Sequence, residues 1–311
     1  MISIGLPAVK PAFLTDAIKS VLEQRYPDFE LIIVNDRKDE TIRRIAGSFS
    51  DKRIRYYEED TILPIVKNWN RTLSYARGEY FILFSDDDLY HQDFLSELSG
   101  LAQRYPLCNL FHCRVNKLSL SGNVYTSTKI CPEFESGLTF ILQRLKNSRE
   151  QFVPEFMVKT DKIKEQGGFV DLPLAWGSDD LTWFSLATDG GAAYCSKDLV
   201  YWRESTSQVS FSGSIPQRLI AVKEYQKWIK HFVETIPVKT EEEFKLLEQI
   251  KSLIPYNAEN QKIFLLAIHS ERESLYNHCK FYFQNRKTNE LKFKWFLYSI
   301  YHSIWKQTKI I

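Results

Sequence analysis

The chain has 311 residues, of which 44% are hydrophobic and 26% are charged, and its formal net charge is +2. This is the composition of an ordinary soluble protein with one core domain and an appendage, and it argues against intrinsic disorder. The small net charge also argues against a dedicated nucleic-acid-binding protein, which would need a strongly basic face.

Two features bear on the cellular compartment. The five cysteines are odd in number, scattered and never in a CxxC pair, which predicts reduced thiols of a cytosolic protein and gives no support to a zinc site. The N-terminus, MISIGLPAVK, begins with a strand-like run and shows no signal peptide. Because no apolar run approaches the roughly 20 residues that cross a bilayer, we expect a cytoplasmic protein.

Strands and helices alternate over the first hundred residues. Apolar runs such as FELIIV are typical of strands buried on both faces, and the segments between them have apolar residues at helical spacing. The predicted strands are residues 2–6, 29–34, 53–57 and 80–84, and the predicted helices are residues 13–24, 40–49 and 64–76. Such units need right-handed crossovers, so they predict an α/β fold with a Rossmann-like, mostly parallel sheet and helices on both faces.

The pattern after residue 109 is less regular. Gly122 and Asn123 predict a hairpin, and helical patterns return at residues 137–145, at 160–166 and from about Ser178. Residues beyond about 214 read as successive helices with no further strand. We therefore predict an α/β domain at residues 1–213 and a helical C-terminal region at residues 214–311.

Polar residues follow three of the predicted strands, and such sheets bind ligands at the loops beyond the carboxyl ends of their strands. Asn35–Asp36 follows the second strand, Asp60 the third and Asp86–Asp88 the fourth, so one cleft could collect all three. Adjacent carboxylates raise one another's pKa, and a bound divalent cation removes that repulsion. Carboxylate oxygens suit Mg²⁺ or Mn²⁺. A metal site is one interpretation of the acidic run, and a solvated loop or helix cap is the other.

A second acidic pair, Asp179 and Asp180, follows a loop that contains Trp176 and Gly177. First-turn acids that stabilise a helix dipole would account for the pair. The functional interpretation is a general base, which must lie within hydrogen-bond reach of a substrate hydroxyl. The residues alone leave both interpretations open.

Three segments, in this order, resemble the inverting family-2 glycosyltransferases, which have the GT-A fold. AFLTDAIKSVLEQRYPDFELIIVND, after the strand that ends at Pro7, is similar to the family's opening strand, helix and nucleotide-binding strand. NWNRTLSYARGEYFILFSDDDLY resembles the segment leading to its metal motif, and GGFVDLPLAWGSDDLTWFSLA resembles the acceptor-side segment with its catalytic acid. The resemblance covers roughly residues 1–210 and depends on the order and spacing of the segments.

The resemblance implies a metal-dependent glycosyltransferase whose donor is a nucleotide-sugar, with a UDP-sugar favoured. The implied acceptor is a saccharide or a lipid-linked molecule, in surface polysaccharide or glycoconjugate synthesis. The implied donor-binding residues are Pro7, Asn35, Asp36 and Asp86. Among them, Asp36 would contact the base and Asp86 the ribose.

The resemblance also implies a metal site and a catalytic base. Asp87 would hold Mn²⁺ or Mg²⁺ on the donor diphosphate, and Asp88 would share this role or that of Asp86. Asp179 would take the proton from the acceptor hydroxyl, with Asp180 as the runner-up. The hydroxyl oxygen would then attack the anomeric carbon from the face opposite the leaving diphosphate and invert that centre.

Three places depart from the family's pattern. Val9 and Lys10 stand where a Tyr-Asn pair is common, and the turn after Asp36 is one residue shorter. Both changes put the base contact in question. A histidine common shortly after an arginine near residue 203 is Ser205 here, so a histidine ligand for metal or phosphate is missing at that position.

The last segment predicts a basic amphipathic helix. Apolar residues fall on one helical face and polar residues on the opposite one: Phe293, Leu297, Ile300 and Ile304 against Lys292, Ser299, Ser303 and Lys306. Such a helix can lie in the inner membrane surface of a peripheral protein, or it can pack on the catalytic domain or on a second subunit of a homo-oligomer. We expect packing on protein, which is the usual fate of an amphipathic helix.

Other functions were weighed against this one. A dinucleotide-dependent oxidoreductase is excluded, because the first turn, GLPAVKPAF, contains no GxGxxG. A sugar nucleotidyltransferase stays open, although it normally needs a glycine-rich basic phosphate loop near the first strand. A non-catalytic protein that binds a nucleotide-sugar on the same fold also stays open.

Overall fold

The computed structural model describes residues 1–119, 121–204 and 213–308. The chain divides into two compact units. The first comprises Met1–Asp171 and the described residues from Ser178 to Glu204, and the second comprises Leu172–Gly177 and the described residues from Gly213 onward. The domain boundary near residue 213 stays a prediction.

Among the described residues, ten strands form one sheet in the first unit. The strands are β1 (Ile2–Pro7), β2 (Phe29–Asn35), β3 (Ile54–Glu58), β4 (Tyr80–Leu83), β5 (Leu89–Tyr90), β6 (Leu110–Leu118), β7 (Val124–Ser127), β8 (Phe134–Glu135), β9 (Phe156–Lys159) and β10 (Ala192–Arg203). Their order is β3-β2-β1-β4-β9-β6-β10-β5, with β7 paired to β6 and β8 paired to β10. The β6–β7 pair is antiparallel, which confirms the predicted hairpin.

The first four strands are parallel, as predicted, so their carboxyl ends lie at one edge of the sheet. The second parallel pair, β6 and β10, is joined to this block by β9, which runs antiparallel to both β4 and β6. β9 and β10 were not predicted from the sequence. β9 has only four residues, and β10 has exposed Ser196 and Lys197 and register shifts near Asp198 that interrupt its apolar pattern.

Helices cover both faces of this sheet. In the first unit the helices are α1 (Leu14–Leu22), α2 (Glu40–Gly47), α3 (Ile65–Ser74), α4 (Phe94–Arg104), α5 (Gly137–Leu145), α6 (Thr160–Glu165) and α7 (Ser178–Thr188). Apolar residues of α1, α2 and α4 form one buried cluster with the sheet. On the other face α3 approaches β1 so closely that a Cβ at Gly5 would lie 2.7 Å from Thr72. Glycine is therefore needed at this position.

The second unit is helical, as predicted. Its helices are α8 (Ile215–Thr235), α9 (Glu241–Arg272), α10 (Leu275–Asn285) and α11 (Phe293–Thr308). Residues of all four helices form its buried apolar cluster. Over the described ranges, each helix is too short or too polar to cross a membrane.

Helix α11 packs on its own unit, but through a different face from the predicted one. Trp295, Phe296 and Ser299 are buried, whereas Phe293 and Leu297 are 55% and 51% exposed. Burial of Ser299 is tolerated because its hydroxyl is hydrogen-bonded to Nε2 of His278 at 2.9 Å and donates to the carbonyl of Phe296 at 2.7 Å. The predictions for Ser303, Ile304 and Lys306 concern side chains that the structure does not describe.

Candidate functional site

The loop after β4 carries the acidic run, and its first member fixes the loop after β1. Asp86 is buried, and its Oδ2 accepts hydrogen bonds from the amide of Val9 at 2.7 Å and from the amide of Lys10 at 2.6 Å. Burial raises the pKa of Asp86, although these two N–H groups favour the carboxylate. The two loops at the carboxyl ends of β1 and β4 are thus held together.

The second member, Asp87, already holds a cation. Its Oδ2 accepts from Nζ of Lys10 at 2.9 Å, and Asp87 is only 8% exposed. Lys10 therefore binds Asp86 through its backbone and Asp87 through its side chain. This contact could not be foreseen from spacing, because 77 residues separate the two partners.

The third member, Asp88, is turned into the protein. It is 1% exposed, and its Oδ1 accepts from the amide of Arg203, at the end of β10, at 2.8 Å. Burial and the neighbouring Asp87 raise the pKa of Asp88 to about 8. The Arg203 side chain donates from Nε to the carbonyl of Asp87 at 3.1 Å and lies over the ring of Phe13 at 4.1 Å. Ser205, the third departure from the family's pattern, lies outside the described residues.

The end of β2 places Asn35 and Asp36 in different roles. The Asn35 side chain is buried and bound to the backbone of Asp39 and to the hydroxyl of Tyr56, so it shapes the turn before α2. Asp36 is also buried, and its Oδ2 lies 3.4 Å from Nη2 of Arg71. Its Oδ1 is a buried acceptor with no hydrogen-bond partner among the described residues. Such an oxygen can accept an N–H from a ligand without losing any bond inside the protein.

Two further predicted positions lie near this edge of the sheet. Pro7 ends β1, and the next residue, Ala8, donates its amide to the carbonyl of Val34 in β2 at 2.9 Å. The backbone at Pro7 thus lies between the carboxyl ends of β2 and β4. Asp60 is 90% exposed and forms an ion pair with Lys38, so it is not part of the buried acidic group.

The second acidic pair lies in the first turn of α7, and its two members differ. Asp180 is buried, and its two carboxylate oxygens accept hydrogen bonds from Nε of Arg144 at 2.9 and 3.1 Å. Nη2 of Arg144 also lies 2.9 Å from Oδ2 of Asp180. Asp179 is partly buried, and no ion-pair partner for it occurs in the described part of the chain. Burial and the charge of Asp180 raise the pKa of Asp179 to about 7. A carboxyl group with this pKa can accept a proton near neutral pH and release it again.

The acidic run fits a divalent cation at one of its three positions. The carboxylates of Asp86 and Asp88 are directed to backbone N–H groups, and within the described ranges no three acidic, histidine or cysteine side chains form a metal-binding group. Asp87, however, binds a positive group, the Lys10 ammonium, through a hard carboxylate oxygen. Mg²⁺ and Mn²⁺ commonly take one or two carboxylates and complete their shell with water and phosphate oxygens. Asp87 is therefore the residue that fits the metal.

Most of the cations that partner these acids were not predicted from the sequence. Lys10 was noted only for its place in the family's pattern, and Arg71 and Arg144 were not singled out. Arg71 and Arg144 lie 35 and 36 residues from their partners, so no local spacing relates them. The sequence therefore contains no signal that would have paired these basic residues with the acids.

Comparison with known proteins gives a family and related sequences. The model of the family "Glycosyl transferase family 2" matches residues 5–158. The putative teichuronic acid biosynthesis glycosyltransferase TuaG of Bacillus subtilis is 29% identical over 58% of this chain and 69% of its own length. The putative colanic acid biosynthesis glycosyl transferase WcaA of Escherichia coli is 31% identical over 42% of this chain and 48% of its own length. The matched part of an uncharacterised glycosyltransferase of Rickettsia typhi is 28% of that protein.

Two solved structures with the same fold were obtained with a nucleotide-sugar bound. S. aureus TarS, residues 1–349, was solved in complex with UDP-GlcNAc and matches with a TM-score of 0.63 at 14% identity, over 87% of this chain and 80% of that chain. The mannosyltransferase PcManGT of Pyrobaculum calidifontis, solved with GDP-Man and Mn²⁺, matches with a TM-score of 0.54 at 16% identity, over 98% and 87% of the two chains. These likenesses confirm the predicted GT-A type fold.

Proposed function

This chain belongs to glycosyltransferase family 2, and on that premise we propose that it transfers a sugar from a nucleoside diphosphate sugar to an acceptor hydroxyl with inversion. One observation carries the proposal. Acids at the carboxyl ends of β2 and β4 lie beside basic side chains, with Lys10 on Asp87 and Arg203 next to it. An arrangement of this kind binds a molecule that has both a hydrogen-bonding base and a charged diphosphate.

For the donor base, we favour uracil. The unpartnered Oδ1 of Asp36 would accept the ring N–H of uracil, and Arg71 would keep the other carboxylate oxygen in place. Guanine also offers a ring N–H, so this contact alone does not choose the base. The UDP-GlcNAc bound by TarS supports uracil, and the GDP-Man bound by PcManGT supports guanine.

For the diphosphate, Asp87 would hold Mg²⁺ or Mn²⁺, and Asp86 would keep the β1 and β4 loops together beside the ribose. A metal held there would offset negative charge on the leaving diphosphate. Asp88 would act through Arg203, whose backbone it binds, to position the guanidinium near the phosphates.

For the chemistry, Asp179 would take the proton from the acceptor hydroxyl as its oxygen attacks the anomeric carbon. Support comes from its pKa of about 7 and from Arg144, which binds Asp180 and leaves the Asp179 carboxylate for the substrate. One displacement from the face opposite the diphosphate would turn an α-linked donor into a β-glycoside. This stereochemistry follows from the family.

For the acceptor, we propose a saccharide or a lipid-linked saccharide in surface polysaccharide synthesis, because TuaG and WcaA are named for teichuronic and colanic acid biosynthesis. Such synthesis would place the protein in the cytoplasm beside the membrane. The exposed residues Phe293 and Leu297 of α11 would be available to a membrane surface or a second copy of the chain.

One experiment separates this function from its two alternatives. The protein is incubated with UDP-glucose, UDP-GlcNAc or GDP-mannose, with and without Mn²⁺, and release of nucleoside diphosphate is measured. We expect slow, Mn²⁺-dependent release of UDP by transfer to water. In a parallel incubation with UTP and a sugar 1-phosphate, a nucleotidyltransferase would instead release pyrophosphate. A non-catalytic binding protein would be stabilised by UDP against heating but would release nothing.

A further inference from the structure

Lys10 and Arg203 each contact two members of the acidic run with two different groups. Arg203 reaches Asp87 at its backbone carbonyl, whereas Lys10 binds a side-chain carboxylate with both of its groups. Its amide donates to Asp86 at 2.6 Å and its ammonium to Asp87 at 2.9 Å. The backbone bond fixes where the side chain begins. The ammonium, on a four-carbon stem that is 31% exposed, stays free to move.

The contact with Asp87 has a consequence for cation binding. A divalent ion that binds the same carboxylate oxygen must displace the ammonium, because two positive charges in contact with one oxygen repel each other. Among the described residues, Asp87 is the only ion-pair partner of the ammonium. Metal binding to Asp87 alone is therefore opposed by the loss of this ion pair.

A donor diphosphate changes this balance. Its oxygens provide new anionic partners for the ammonium, within reach of a side chain anchored at the same loop. We propose that Lys10 competes with the metal for Asp87 in the nucleotide-free protein and moves to the donor diphosphate when metal and nucleotide bind together. Lys10 thereby makes the two ligands bind cooperatively, and each raises the affinity for the other by the same factor.

This inference rests on the proposed function, since it needs a nucleoside diphosphate as the ligand. A purely structural ion pair would behave differently. A partly exposed pair contributes little to stability, and its loss would leave the coupling between metal and nucleotide unchanged. The coupling itself is thus the quantity to measure.

The test is a set of Mn²⁺ titrations followed by electron paramagnetic resonance of the free ion, with and without UDP. In the unaltered protein we expect UDP to tighten Mn²⁺ binding by roughly tenfold or more, within the range typical of coupled sites. Lys10→Met should bind Mn²⁺ more tightly than the unaltered protein when UDP is absent. It should also show a smaller tightening by UDP.

Two further variants serve as controls. Lys197→Met removes another partly exposed lysine–carboxylate pair, with Glu97 at 2.6 Å, and should leave both Mn²⁺ affinities unchanged. Lys10→Arg keeps the positive charge and should bind Mn²⁺ without UDP as weakly as the unaltered protein.

Several results would overturn the inference. One is equal UDP-free Mn²⁺ affinity in Lys10→Met and the unaltered protein. Another is equal Mn²⁺ affinity with and without UDP in the unaltered protein. This result would overturn the inference even if Lys10→Met does not fold. Absence of UDP binding in every protein would instead refute the proposed function.

Discussion

The same Asp→Asn substitution at the two acids of α7 should have different effects: loss of rate at Asp179 and loss of stability at Asp180. Asp179 carries a raised pKa and no ion-pair partner in the described residues, whereas Asp180 is bound by Nε and Nη2 of Arg144. Asp179→Asn removes the proposed base and changes no ion pair. We expect its rate to fall by about 10²–10⁴-fold, which corresponds to about 3–5 kcal/mol of activation free energy. Its affinity for UDP and Mn²⁺ should stay as it is, and its melting temperature should not fall, because the burial and repulsion that raise the pKa of Asp179 disfavour the ionised side chain in the folded protein.

Asp180→Asn should instead reduce stability. The asparagine keeps one acceptor oxygen for Arg144 but loses the charge, and charge-assisted bonds of this kind contribute about 2 kcal/mol. For a unit of roughly 200 residues, each kcal/mol shifts the melting temperature by about 2–4 °C, so we expect a decrease of roughly 4–8 °C.

The pH dependence of the reaction rate provides a second test of the roles of Asp179 and Asp180. A carboxyl group whose pKa is raised to about 7 is ionised, and able to act as a base, only above that pH. The rate of the unaltered protein should therefore rise with pH through about 7. Since the charge of Asp180 is one cause of the raised pKa, Asp180→Asn should move this rise to lower pH.

The assay is Mn²⁺-dependent release of UDP from a UDP-sugar, measured with calorimetric melting for both variants. If Asp179→Asn is as fast as the unaltered protein and Asp180→Asn is inactive at full stability, the base is Asp180. If both variants stay active, the base lies elsewhere and the interpretation of α7 is wrong.

Three further predictions concern the metal, the base and the C-terminal helix. Asp87→Asn should abolish Mn²⁺-dependent UDP binding in calorimetric titrations without unfolding the protein, and unchanged affinity would contradict the metal assignment. Asp36→Asn should weaken UDP binding by about 1–3 kcal/mol while Mn²⁺ affinity is retained, and UDP affinity within twofold of normal would contradict the base contact. Trp295→Ala, in the buried cluster of the second unit, should cost about 3–5 kcal/mol of unfolding free energy, whereas the half-exposed Phe293→Ala should cost much less. Equal melting temperatures for these two variants would show that the packing face of α11 is misassigned.

Much of the sheet could be predicted because local periodicity determines its first half. The strands β1, β2 and β4 are continuous or near-continuous apolar runs, and the helices between the first four strands have clear apolar spacing. β9 escaped prediction because it lies outside the regular alternation of strands and helices in the first hundred residues. Its place between β4 and β6 depends on partners that are distant in sequence.

The candidate site divides in the same way. The acids could be predicted from their place after buried strands, since parallel strands end at one edge of the sheet. The contacts of each carboxylate could not be predicted, because the partners are distant in sequence. Arg71, Lys10 and Arg144 lie 35, 77 and 36 residues from Asp36, Asp87 and Asp180, respectively. The packing face of α11 failed for a related reason. Ser299 is buried because His278, on another helix, offers it a hydrogen bond.

The departure at Val9 and Lys10 can now be separated into geometry and charge. Both residues bind Asp86 through backbone amides, and a backbone amide is available whatever the side chain. The joining of the β1 and β4 loops therefore does not require the Tyr-Asn pair common in the family. What the substitution changes is the group that faces Asp87, which here is an ammonium. The departure thus alters the electrostatics of the metal position and leaves the frame of the site unchanged, which is why metal and nucleotide binding, measured separately and together, is the decisive experiment for this chain.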